Sequence, residues 1–235
     1  MSLVDVSRKL AGAVEELEMG DAAAFVYNPL VYARDPHEAY LNRYGLGHKE
    51  AVFVGMNPGP FGMTQTGVPF GDVMMVREFL GISGHVGRPP REHPKRLVEG
   101  FACRRSEVSG TRLWGYARQR YQTADAFFQK FFVTNYCPLV FMTESGANLT
   151  PDKLPRPLQT QLQAVCDEAL RAVIMHLSPR LVIGIGGFAQ KQAQRALTDV
   201  RVQIGTILHP SPASPHANRG WAEAAQKQLE ALGVG

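Results

Sequence analysis

The sequence predicts an α/β fold, a parallel sheet with helices on both faces, and two observations carry that prediction. Four short apolar runs each stop at a turn rich in Pro or Gly, and stretches of helical periodicity lie between and around them. Strands that alternate with helices pair in parallel, because each crossover returns the chain to the same end of the sheet.

The elements follow in order. Leu3, Val6, Leu10, Val14 and Leu17 recur at helical spacing, so residues 3–19 read as an amphipathic helix. Val52 to Met56 is a continuous apolar run ended by Pro58 and Gly59, the pattern of a strand buried on both faces. Phe131-Phe132-Val133-Thr134 is the second strand, stopping at Asn135 and Pro138. Leu158, Leu162, Val165, Ala169, Val173 and Leu177 mark a long helix that Pro179 ends. Leu181-Val182-Ile183-Gly184-Ile185 is the third strand, followed at once by a helix over Phe188 to Leu197. Val202 to Leu208 is the fourth, and Trp221, Ala225 and Leu232 mark a closing helix. Residues 82–122, rich in Gly, Pro and Arg, read as a basic, loop-rich insertion. No internal repeat and no linker divides the chain, so residues 1–235 read as one domain.

Composition excludes several classes. With 45% hydrophobic and 20% charged residues, the chain has the balance of a folded protein. No apolar stretch approaches the roughly 18–20 residues of a membrane span, and the N-terminus lacks a signal-peptide core, so an intracellular protein is expected. Cys103, Cys137 and Cys166 are widely spaced, which argues against a disulfide framework or a zinc ribbon. Charge is uneven: residues 85–130 hold ten Lys and Arg against four Asp and Glu, densest at Arg88, Arg91, Lys95, Arg96, Arg104 and Arg105. Such a local excess suits a polyanion, although on charge alone a solvated face is the favoured explanation.

Two segments concentrate the chemistry. Gly55-Met56-Asn57-Pro58-Gly59-Pro60 follows the first strand and His209-Pro210-Ser211-Pro212 follows the fourth. Proline cannot continue a ladder, so both are loops at strand ends, where open α/β sheets bind their ligands. Asn57, Asn135 and His209 then all lie at the C-terminal ends of strands and can face one crevice. Each alone is explained as a turn residue or a core histidine; together they suggest a site without an evident nucleophile. Gly184-x-Gly186-Gly187 lacks the acidic residue about 20 positions on that a dinucleotide site needs, and serves helix packing instead. There is no Gly-x-Ser-x-Gly elbow, and the seven histidines show no metal-ligand spacing.

The segments Gly55 to Met63, Gln65 to Gly71 and His209 to Pro212 resemble the two signature motifs of the single-strand-selective monofunctional uracil-DNA glycosylases. Tyr27 to Leu30, Arg105 to Gly110, Asn135 to Leu139 and Ser145 to Thr150 are similar too, so the resemblance runs from about residue 25 to residue 225. It implies a three-layer α/β/α sandwich around a short parallel sheet, uracil-DNA glycosylase-like. It implies release of uracil, and of 5-substituted uracils such as 5-hydroxymethyluracil, from single- and double-stranded DNA, leaving an abasic site. No metal or organic cofactor is expected, and a monomer is.

By the same resemblance Asn57 holds the attacking water and His209 donates a hydrogen bond to the 2-carbonyl of the departing base. Phe70 stacks on the flipped base and Asn135 reads its edge. Met56 and Met63 complete the pocket wall, and Gly59 leaves room beside the 5-position. Ser106, Ser109, Ser145, Gly146, Asn148, Ser211, Ser214 and Arg219 are the expected DNA contacts. The chain departs from the pattern of the family at Ala213, where the resemblance implies a bulky basic residue that helps to hold the gap left by the flipped base; Arg219 or the loop 145–159 is the expected substitute. Excision of mismatched uracil or xanthine, or DNA binding without catalysis, are the alternatives. The expected location is with the DNA, cytoplasmic in a bacterium and nuclear in a eukaryote.

Overall fold

Seven strands organise the chain: β1 Phe25–Tyr27, β2 Ala51–Gly55, β3 Phe131–Asn135, β4 Val140–Met142, β5 Asn148–Leu149, β6 Leu181–Ile185 and β7 Gln203–Ile207. The computed structural model describes residues 1–234; Gly235, the last residue of the expected domain 1–235, lies outside the described residues. Four strands pair in parallel in the order β3-β2-β6-β7, with Ala51 opposite both Phe131 and Leu181 and Ile185 opposite Ile207. The four apolar runs form these strands: β6 coincides with its run, and the other three have ends shifted by one residue, β2 ending at Gly55 where the sequence suggested Met56. Every residue of β2 and β6 is buried, as their unbroken apolar runs require.

Helices cover both faces, which makes the expected three-layer α/β/α sandwich. Helices Leu3–Glu15, Arg156–Leu177 and Gly187–Ala196 pack together, and Val108–Tyr121, Ala124–Lys130 and Trp221–Ala231 form a second group. The first helix opens on a capping box, Ser2 accepting from the Asp5 N–H while Asp5 accepts from Ser2, and ends at Glu15, short of residue 19. Helix Arg156–Leu177 buries Leu158, Leu162, Cys166, Leu170, Ile174 and Leu177. The expected positions Val165, Ala169 and Val173 are half-buried, because Ala169 and Val173 face the cavity beneath the first helix. Gly184 serves packing as expected: a Cβ there would lie 2.7 Å from the Gln190 Cα of the next helix.

Two features depart from the sequence reading. Residues 82–107 are largely irregular, but Val108–Tyr121 is a fourteen-residue helix inside the stretch expected to be loops. Its Leu113, Trp114 and Ala117 are buried, and tertiary packing outweighs the low helix preference of Gly110 and Gly115. A small antiparallel sheet, β1-β4-β5, was not anticipated; strands of two or three residues carry no readable periodicity. This second sheet places residues 143–150 beside the C-terminal edge of the parallel one.

Candidate active site

Neighbouring strands whose connections leave in opposite directions open a crevice at their carboxyl ends. Here β2 leads toward β3 on one side and β6 leads to β7 on the other. A cleft of about 320 Å³ opens at this edge, lined by Met56, Asn57, Gly59, Met63, Phe70, Glu107, Ser109, Asn135, Asn148, His209 and Ser211 among others. The structure thus brings together the three residues that the sequence placed at separate strand ends.

Parallel pairing continues beyond the strands and fixes their mutual position. Tyr136 N–H donates to Gly55 O and Cys137 N–H to Met56 O, each at 2.9 Å. Asn57 is turned by its own amide, with Nδ2 donating to Leu139 O at 3.1 Å. That bond leaves Oδ1 as the acceptor that Asn57 presents to the cleft. Asn135 Nδ2 points at the Met63 sulfur at 3.3 Å, while its buried Oδ1 has no hydrogen-bond partner. An orphaned buried acceptor costs about 1–3 kcal/mol, so a ligand N–H there restores what the protein forgoes. Gly55 makes this approach possible, since a Cβ would strike Asn135 Oδ1 and lie 2.6 Å from the Phe70 ring.

His209 is defined just as closely. The Ser211 N–H donates to its Nδ1 at 3.1 Å, so the neutral ring carries its proton on Nε2. Burial pushes the His209 pKa below the usual value, keeping the ring neutral near pH 7. Phe70 lies beside it, ring centroids 6.1 Å apart. Phe70 has φ +54°, rare for a bulky residue and worth about 1–3 kcal/mol of strain. Three groups hold it there: its carbonyl accepts from Trp114 Nε1 at 3.0 Å and Asp72 N–H at 2.9 Å, and Gly110 lets the backbones touch.

The other expected residues are placed as follows. Met56 and Ser109 line the cleft, and Met63 is buried in its wall. Gly59 faces a side chain and not an empty space: a Cβ there would collide with Glu107 Oε2. Ser106 donates to Asp72 Oδ2 at 3.0 Å, the carboxylate that also caps helix Val73–Glu78. Ser145 bonds Thr143, Gly146 accepts from Arg96 Nε at 2.9 Å, and Asn148 reaches the cleft from β5. Ser211 Oγ accepts from Ala213 N–H, Ser214 caps helix Pro215–Asn218, and Arg219 and Ala213 are exposed at this rim.

Sequence reading missed Glu107, Trp114, Asp72 and Arg112. Arg112 donates to Pro210 O at 3.0 Å and to Asn218 Oδ1 at 2.8 Å, bracing the loop that carries His209. Phe61 was missed too: Arg105 lies 4.0 Å and Arg96 5.6 Å from its ring centroid, which sets the basic segment against the glycine-rich loop that follows β2. A local signal existed only for Phe61, an aromatic next to the glycine-rich loop.

The carboxyl edge of the parallel sheet thus carries an unpaired amide acceptor, a neutral imidazole with its proton on Nε2 and an aromatic ring beside it. Residues 41–232 match the Uracil DNA glycosylase superfamily. The chain is 49% identical over 228 residues to the single-strand selective monofunctional uracil-DNA glycosylase of Rattus norvegicus, covering 96% of this chain and 82% of that one. It is 47% identical to the enzyme of that name from Bos taurus, covering 96% of this chain and 84% of the other. The crystal structure of wild-type SMUG2 from Pedobacter heparinus shares the fold, with a TM-score of 0.68 over 97% of both chains at 17% identity. The chain belongs to the single-strand selective monofunctional uracil-DNA glycosylase family.

Proposed function

We propose that this protein is a monofunctional DNA glycosylase that hydrolyses the N-glycosidic bond of uracil and 5-substituted uracils, acting as one domain over residues 1–235. The observation that carries this reading is the pairing, in one cleft, of an unpartnered Asn135 Oδ1 with a His209 ring whose free nitrogen is a donor.

Hydrolysis of this bond builds positive charge on the sugar and negative charge on the departing base. Asn57 cannot accept a proton at neutral pH, so it orients the attacking water through Oδ1 and does not act as a base. The barrier falls chiefly because the base leaves as a stabilised anion. His209 Nε2–H supplies that stabilisation at the 2-carbonyl oxygen, and its neutral state means no charge must be buried beforehand. The step balances without a proton from His209: water loses one to solvent and the released base anion takes one up from solvent.

Asn135 reads the base. Its Oδ1 accepts from the uracil ring N–H and its amide N–H group turns from the Met63 sulfur to the 4-carbonyl. Cytosine presents an acceptor where uracil presents the ring N–H, which leaves two buried acceptors opposed. Phe70 stacks on a base taken out of the helix, the step that any enzyme acting at this bond requires. The basic segment around Arg96 and Arg105 meets phosphates, with Ser109, Ser145, Gly146, Asn148, Ser211, Ser214 and Arg219 along the same rim. Because Ala213 brings no long side chain to that rim, single-stranded DNA, which has no stack to refill, is the favoured form.

The test is release of uracil from a single-stranded oligonucleotide, read as alkaline cleavage at the abasic site, with cytosine and thymine at the same position as controls. Cleavage at uracil alone is expected. No cleavage at uracil, or equal cleavage at cytosine, overturns the reading.

A further inference from the structure

A second groove, of about 830 Å³, lies beside the base cleft and has no assigned task. Its lining comes from helix Val73–Glu78, from residues 101–106 and from helix Val108–Tyr121. The wall between cleft and groove is thin: Phe70, Glu107 and Ser109 line the cleft, while Asp72, Ser106 and Thr111 line the groove. Asp72 Oδ2 ties the two sides of that wall together, accepting from Ser106 Oγ and from the Glu107 N–H, each at 3.0 Å.

Arg77, Arg104, Arg105 and Arg118 all line this groove and all are exposed. Among the described residues none of the four forms an ion pair, whereas Arg8, Arg88, Arg180 and Arg195 each meet a carboxylate. Two carboxyl groups share the groove. Asp72 is committed, since its Oδ1 accepts from the Met75 N–H and its Oδ2 is taken as described, which leaves Glu78 against four guanidinium groups. Apolar surface lies among the charges: Met74 is 55% exposed, and Arg77 sits 5.6 Å from the ring centroid of the half-buried Phe101.

A concave surface of one charge sign concentrates counterions, and the guanidinium fork matches a phosphate oxygen pair. Cationic groups interleaved with apolar and aromatic faces suit a single strand, whose bases are free to lie on those faces. Arg105 supplies the link to the cleft, because it stacks on Phe61 while the neighbouring Gly59 and Gly62 line the cleft.

We propose that this groove is a strand-binding surface for single-stranded DNA, in which Arg77, Arg104 and Arg118 neutralise phosphates of the nucleotides that continue from the flipped one past Arg105. The groove lies on one side of the cleft, beyond the wall at Phe70–Asp72, so it serves the strand on one side of the target nucleotide only.

The proposal rests on the base-excision reading above. Single-turnover excision is measured on single-stranded oligonucleotides with uracil near the 5′ end, at the centre or near the 3′ end, so that the flanking strand lies on one side, on both or on the other. Wild type is compared with Arg77→Gln/Arg118→Gln and with Lys130→Gln/Arg201→Gln, which removes the same charge from exposed positions beside the amino ends of β3 and β7. The groove variant should raise the enzyme concentration for half-maximal rate about tenfold on the central substrate and on one of the two end substrates. On those two its salt slope should fall by about 1.4, the share of two phosphates on a single strand. Its maximal rate, and its behaviour on the other end substrate, should match wild type, and the control pair should change none of these values. An equal effect at both ends, the same effect from the control pair, or a lower maximal rate on every substrate makes these arginines general charge or a brace for the wall and overturns the proposal. No effect on any oligonucleotide overturns it as well and leaves the groove to an acidic protein partner. A wild-type protein that releases uracil from none of the three substrates overturns the underlying reading instead.

Discussion

Truncating His209 to Ala tests leaving-group stabilisation at its source. The ring lies beside Phe70, its Nδ1 accepts from the Ser211 N–H at 3.1 Å, and burial holds it neutral. Nε2–H is then the one donor the ring can offer the base. Removing one preorganised donor from a developing oxyanion costs about 2.7–4 kcal/mol, so the single-turnover rate should fall by about 10²–10³. The assay uses excess enzyme on a uracil-containing oligonucleotide with alkaline cleavage, and measures DNA binding separately by anisotropy. Affinity should change far less than rate, because phosphate contacts dominate it. The wild-type pH profile gives a second handle on the same group. Because the His209 pKa is lowered, the ring is neutral above about pH 6.5 and becomes cationic only as pH falls below that value. Protonation would set an Nδ1–H against the Ser211 N–H and displace the ring. The rate should therefore hold level from about pH 8 to about pH 6.5 and decline below. A His209→Ala protein that excises near the wild-type rate would falsify the assignment, as would a wild-type rate that climbs through this window as pH falls.

Three further perturbations follow from named contacts. Gly55→Ala places a methyl 2.6 Å from the Phe70 ring and against Asn135 Oδ1, overpacking worth about 1–3 kcal/mol; uracil excision should fall about tenfold or more, and an unaltered rate would show that these side chains do not form the pocket. His37 is fully buried with its pKa pushed down to about 4, and its Nδ1 meets Gly67 O at 2.7 Å. The unfolded chain takes up that proton first, so this stability is intact above about pH 6.5 and is lost as pH falls to about 4. Urea titrations should record a loss of roughly 3 kcal/mol across the window, absent in His37→Asn, and equal slopes for the two proteins would contradict this. Neutralising Arg96 and Arg105 together, as Gln, should reduce the slope of log affinity against log salt by about 1–2 and weaken single- and double-stranded DNA alike; an unchanged slope would return the pair to the solvated surface.

The parts of this protein that the sequence determined by itself are those whose signal is local. β2 and β6 were legible because a strand buried on both faces must be apolar throughout, and the edge strands β3 and β7 because their apolar runs end at turns rich in Pro. Asn57, Asn135 and His209 could be placed at one edge because a parallel sheet sends all its strand ends the same way. Likeness to the family's motifs then suggested their roles. Other features depend on distant parts of the chain. Helix Val108–Tyr121 contains two glycines that weaken its local signal; it forms where Trp114 can reach the Phe70 carbonyl and Gly110 can touch it. The tautomer of His209 follows from how the Ser211 N–H is turned, the orphaned Asn135 oxygen from its setting against Met63, and the setting of Glu107 from two glycines more than forty residues away. Tertiary structure alone decided these, because a side chain's protonation, orientation and accessibility are set by the atoms that surround it, and those atoms come mostly from elsewhere in the sequence.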